Sequence, residues 1–287
     1  MTRILAIIMI LASANTFAQD SKYCYAEWCS LPKNHEAHSD PYYNAHLCEN
    51  FDSKQADFSA EYLRLQTERL SKITSNKTEQ LVKYNFDTDS LFNTGEFQQN
   101  GIIGLDYKRI RIHISDTKQK EGVLEFIING KSNVSGNICD FKGSLKVLQV
   151  YEVIENYDFP GQATLFAEYE FFEDSTQNNV GIFKGIFECS IVIDHQTKEI
   201  KLDESFALAD GYNNRTYVGT WDSYNSGKRK KCIWGDYRLP FTFDFDRGDG
   251  EMMVNVKYVK NGWETFGDGS EYEYTKGKPK LKKQWWK

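Results

Sequence analysis

Beyond residue 18 the sequence has no apolar run near the roughly 18 residues that a helix needs to cross a bilayer, so no transmembrane anchor is predicted. It also lacks an excess of basic charge. The 35 Lys and Arg stand against 41 Asp and Glu, and a net charge of −6 argues against a nucleic-acid partner, which needs a basic face. The common catalytic motifs are missing as well. There is no Gly-x-Ser-x-Gly elbow, no Walker loop, no dinucleotide fingerprint and no His-Glu-x-x-His pair. The sequence therefore predicts no cofactor, no metal and no recognisable nucleophile. Sequence order alone does not exclude a Ser/His/Asp triad assembled from distant positions.

What stands at the N-terminus is a targeting signal. Arg3 gives a positive start, Ile4 to Ala14 a short apolar run, and Thr16-Phe17-Ala18 a small-x-Ala cleavage site. The expected product begins at Gln19 and is soluble, secreted or periplasmic. In such a chain Cys24, Cys29, Cys48, Cys139, Cys189 and Cys232 read first as disulfides. The first three are expected to bond partly among themselves, with at least one bond reaching the later region. His35, His38 and His46 lie beside Glu36, Asp40 and Cys48, all residue types that bind metal. His35-Glu36-Ala37-His38 is one residue short of the spacing that stacks two ligands on a helix face, so surface histidines in a disulfide-tied segment are expected.

The pattern divides the remainder. Residues 19–56 form a cysteine-containing segment with little periodicity. Residues 57–84 hold one possible helix, with Phe58, Tyr62, Leu65, Arg69 and Leu70 at helical spacing and Asp57 placed to cap it. Residues 85–266 form the expected antiparallel β domain, in which the period is two from about Gly101. Ile110, Ile112 and Ile114 alternate with Arg109, Arg111 and His113, and Phe183, Gly185, Phe187, Cys189, Ile191 and Ile193 share one parity. Strands are also expected around 145–153 and 165–172, with turns at Asn129-Gly130, Asp174–Asn179 and Asp194–Lys198. Phe141-Lys142-Gly143 echoes Phe183-Lys184-Gly185, and these glycines mark places where a neighbouring backbone comes close. The predicted fold is mainly β, an antiparallel sandwich or up-and-down barrel with at most one helix. Residues 267–287 read as a basic, loosely held tail.

The densest candidate site is Trp221, Trp234, Asp236, Tyr237 and Arg238. Flat rings stack on the apolar faces of sugars or other planar ligands, while Asp and Arg direct hydrogen bonds. The competing reading buries the tryptophans against the sheet and pairs the charges. Lys228-Arg229-Lys230-Lys231 is either an acidic-ligand contact or a solvated hairpin tip. Asp244, Asp246, Asp249 and Glu251 are calcium-type ligands off the EF-hand register. Glu168 and Glu170 share a strand face, as a carboxylate pair for hydrolysis would, and as a wet face also would.

Asp210–Tyr212, Val218-Gly219-Thr220-Trp221 and Lys230–Arg238 together resemble a block found in exported bacterial proteins of unassigned activity. The likeness covers the last third of the chain and implies export from a bacterial cell. Gly219-Thr220-Trp221 also resembles the Gly-x-Trp that opens the first strand of lipocalin-like barrels, but here it falls late in the chain. The expected function is an exported binding or interaction protein without its own catalysis, with a glycan, lipid-like or protein ligand outside the cytoplasm. The alternatives are a secreted hydrolase working through carboxylates such as Glu168 or Asp236, and an inhibitor or immunity-type protein.

Overall fold

The computed structural model describes residues 56–287, apart from short stretches at 71–73, 155–158, 208, 210–211, 249–250 and 276–277. The expected signal peptide, Cys24, Cys29, Cys48 and the three N-terminal histidines lie outside the described residues, as does Asp249.

Short strands come first: β1 (Thr74–Asn76) and β2 (Asn85–Phe86). Then follow β3 (Gln99–Ile103), β4 (Lys108–Gln119), β5 (Glu125–Val134) and β6 (Asn137–Val153). Next are β7 (Gln162–Glu173), β8 (Gly181–Asp194), β9 (Glu199–Leu202), β10 (Asn213–Ser223) and β11 (Arg229–Tyr237). A last hairpin is β12 (Tyr272–Thr275) with β13 (Lys278–Leu281). Strands β3 to β8, β10 and β11 pair antiparallel in chain order, and β11 returns to β3, which closes an eight-stranded up-and-down barrel. Closure decides between the two predicted architectures. A sandwich would leave β3 and β11 as edges of separate sheets, whereas here they pair from Asn100–Gly235 to Ile103–Cys232. Outside the ring, β1 extends β6, β9 extends β8, and β2 runs parallel to β9.

Alternation sorts the side chains into two cores. Ile110, Ile112 and Ile114 of β4 and Phe183, Phe187, Cys189, Ile191 and Ile193 of β8 all point into the barrel, as their parity predicts. There they meet Phe126, Phe141, Tyr169, Phe171, Tyr217, Trp221 and Trp234. Residues of the opposite parity, Ile102, Phe166, Ile186, Val218 and Ile233, form a second core on the outside. It is covered by the helix α1 (Ser59–Leu70) and by the chain after β11, through Phe58, Tyr62, Leu239, Phe241, Phe245 and Trp263.

Asp57 accepts the Ser59 backbone N–H at 3.0 Å, and the buried Phe58, Tyr62 and Leu70 lie on the face that α1 turns to the barrel. The helix stops well short of residue 84. The Thr74 hydroxyl donates to the Leu70 carbonyl at 2.6 Å, and the Asn76 side chain accepts the Thr78 N–H, turning the chain into β1 and a short 3₁₀ segment. Among the described residues a second, single-turn helix, α2 (Thr88–Leu91), goes beyond the one helix expected.

Glycines make room where barrel strands cross. Gly185 and Gly219 face each other on β8 and β10, and a Cβ at Gly219 would stand 2.0 Å from the Lys184 carbonyl oxygen. Gly143 has the same role: a Cβ there would stand 1.9 Å from the Glu170 carbonyl. Asn129-Gly130 is not a turn. It lies within β5, opposite an irregularity in β4 between Ile114 and Asp116, and the missing Cβ leaves room for the Phe141 ring. The turn comes at Ser135-Gly136, both left-handed at φ of 52° and 87°.

The basic tail is docked. Trp286 stacks on His113 with ring centroids 3.9 Å apart, Trp285 Nε1 donates to Gln98 Oε1 at 2.7 Å, and the β12–β13 hairpin precedes them. The two terminal tryptophans cover the outward side of β4, whose Arg109 is buried against Trp263, Phe266 and Glu271.

Candidate functional site

The predicted aromatic cluster does not form one surface. On β11 the inward parity takes Cys232, Trp234 and Asp236, and the outward parity takes Lys231, Ile233 and Tyr237. Trp234 is 0% exposed, stacked on Tyr217 at 4.7 Å inside the barrel. Trp221, on β10, also points inward, and its Nε1 donates to Glu173 Oε2 at 2.8 Å. Asp236 accepts from Arg215, and Arg238 is buried in an ion pair with Asp246. Only Tyr237, 56% exposed, reaches solvent. Neighbours in sequence are thus divided between opposite faces of one strand.

The same alternation disperses the basic run. Lys228 is at the hairpin, Arg229 pairs with Asp222, and the Lys230 ammonium lies 5.1 Å from the Trp221 ring centroid. Lys231 is buried between Tyr107 and Phe58, its Nζ donating to the Phe241 carbonyl at 3.2 Å. The aspartate group is likewise engaged. Asp246 accepts from Arg238 and from the backbone of Gly248 and Met253, while Asp244 accepts from Lys257 and Tyr258. Glu168 pairs with Lys146 across the wet face of β7 and β6.

Among the described residues, Cys139, Cys189 and Cys232 are buried free thiols. Cys189 and Cys232 point into the barrel from β8 and β11, where wrapping strands separate them from outside partners. Burial raises all three thiols, Cys139 to about 11, which keeps them protonated and unreactive.

Three polar assemblies had no signal in residue spacing. At one end of the barrel Glu173 is buried and accepts from Ser132 Oγ, Gly181 N and Trp221 Nε1, and burial raises its pKa. At the other end Arg215, Asp236 and Gln99 bond together, with Arg215 also donating to the Asn93 carbonyl. On the surface, His195 bridges Tyr84 Oη at 3.0 Å and Glu152 Oε1 at 2.6 Å. That chain ties the β8–β9 turn to β6 and to the segment entering β2.

Among the described residues, an arrangement open to a ligand lies on the outer wall of β4 to β7. A hollow of about 350 Å³ is lined by Ser115, Asn129, Lys131, Asp140, Lys142 and Phe172, among others. Phe172 shares the outward parity of Glu168 and Glu170 and is 44% exposed. Lys131 and Asp140 pair at 3.2 Å beside it. The hollow forms where Gly130 and the irregularity in β4 interrupt the wall. A signal for it does exist in the sequence, since Phe172 is an aromatic on the charged parity of its strand.

Comparison of the chain with protein-family models, curated proteins and solved structures finds no match.

Proposed function

We propose that the protein is an exported binding protein without catalysis of its own, and that it takes a glycan-type ligand on the outside of the barrel. The observation that carries this reading is the exposed Phe172 ring at an open hollow otherwise lined by amide, ammonium and carboxylate groups. A sugar ring offers a flat C–H face to an aromatic and hydroxyls to groups such as Asn129, Lys131 and Asp140. The N-terminal targeting pattern supports export. No helix among the described residues is long and apolar enough to cross a membrane.

An interior lined by side chains from every wall of the barrel, and closed to solvent, supports an external site for a sugar-sized ligand. The carboxylates of the hydrolase alternative are each paired with a cation, Glu168 with Lys146 and Asp236 with Arg215, which leaves neither poised as a general acid. The test is titration of the mature protein with soluble polysaccharide fragments, in parallel with Phe172→Ala. The variant is expected to keep its thermal midpoint and to bind at least about tenfold more weakly. Equal binding by both proteins removes Phe172 as the site. Turnover of a fragment, lost in a single carboxylate variant, replaces the binding reading with hydrolysis.

A further inference from the structure

We propose that the barrel centre is a built site for ordered water, held among the side chains of Gln99, Tyr217, Trp234 and Tyr169. Four buried polar atoms of these residues have no hydrogen-bond partner: Gln99 Oε1, Tyr217 Oη, Trp234 Nε1 and Tyr169 Oη. Their residues are at most 2% exposed. The three rings touch one another, with centroids 4.7 Å apart for Tyr217–Trp234, 5.2 Å for Tyr169–Tyr217 and 5.3 Å for Tyr169–Trp234. Gln99 sits at the end where its Nε2 donates to Asp236 and to the Arg215 carbonyl.

The chemistry of the four atoms selects the guest. Indole N–H only donates, an amide oxygen only accepts, and a phenol does both. An anion would leave Gln99 Oε1 unserved and a cation would leave Trp234 Nε1 unserved. Water donates and accepts, and it needs two to four polar partners to be held inside a protein. Burial raises both phenols, so each remains a neutral donor. A hydrated polar centre also makes the interior a poor site for a lipid-like molecule, which would leave the same four atoms unpaired.

Two measurements test this. Tyr169→Phe and Tyr217→Phe are compared with the parent protein in urea denaturation. If water serves the hydroxyls, each substitution strands a bridging water and lowers the folding equilibrium constant roughly tenfold. If the hydroxyls are dry, removing an unpaired buried group leaves stability unchanged or raises it, and that result overturns the proposal. A high-resolution crystal structure of the parent decides independently of whether the variants fold. Oxygen-sized density within hydrogen-bond reach of Tyr217 Oη and Trp234 Nε1 is expected. A dry centre that takes up xenon instead overturns the proposal, because apolar voids do so.

Discussion

Lys231 offers a measurement of how tightly the outer layer is sealed. Its side chain is buried between β11 and the covering segments, where the Tyr107 and Phe58 rings and the Phe241 carbonyl surround the ammonium. Desolvation lowers its pKa from 10.5 to about 8, against the opposing pull of Asp244. That interval is roughly 2.5 pH units, and at about 1.4 kcal/mol per unit it corresponds to about 3 kcal/mol of folding stability. The sign follows from proton counting. Between the two values the unfolded chain binds a proton that the folded chain does not, so stability rises with pH through that window. Below about pH 8 the folded protein carries the whole cost. Lys231→Met removes the titration while keeping the length of the side chain. Urea denaturation of both proteins at intervals from pH 7 to 10 gives the difference in stability, and groups common to both cancel. The parent is expected to gain about 2 kcal/mol relative to the variant between pH 8 and 10. Parallel profiles would falsify the reasoning. They would mean that the carbonyl and the two rings replace water so well that the ammonium keeps its ordinary proton affinity.

Other outcomes follow from the buried carboxylate and from the tail. Glu173→Ala leaves Trp221 Nε1 and Gly181 N–H without an acceptor and should cost about 2–5 kcal/mol, whereas Glu173→Gln keeps an acceptor and should cost less than about 1. Because burial raises the Glu173 pKa, the parent loses stability as pH climbs through its folded value, and Glu173→Gln should flatten that loss in denaturation curves at pH 4 to 7. Trp286→Ala uncovers the ring of His113 and should cost about 2–4 kcal/mol. It should also move the imidazole, now held low first by burial, up towards its ordinary value in an NMR titration.

Period and parity made the strand faces legible. The isoleucines of β4 and the phenylalanines of β8 needed only alternation to be assigned to the barrel interior, because each strand has one face in a continuous core. The Gly in Phe-Lys-Gly was legible for the same reason. What sequence proximity could not show was direction. Trp234, Asp236 and Arg238 are two residues apart in turn, yet they reach the barrel centre, a half-buried ion pair at its end, and a buried pair beyond the strand. Asn129-Gly130 carries good turn chemistry and lies inside a strand, since the demand for space beside Phe141 outweighed the local preference. The hollow beside Phe172 joins residues of β4, β5, β6 and β7, and only barrel register brings them together.

The barrel is closed by its shortest seam. β3 meets β11 over four residue pairs, while β5 and β6 share ten, and the seam joins the first barrel strand to the last. Every other pairing around the ring can form between strands that are next to each other in the chain or separated only by the short β9, but this one must wait until nearly the whole domain has been gathered. Until it forms, the molecule is a curled sheet with two bare edges, each able to accept the complementary strand of a second copy. Loss of the strand at 99–103 or of the strand at 229–237 would make that open form permanent. Polymers joined edge to edge, rather than unfolded monomers, are the failure that this topology prepares.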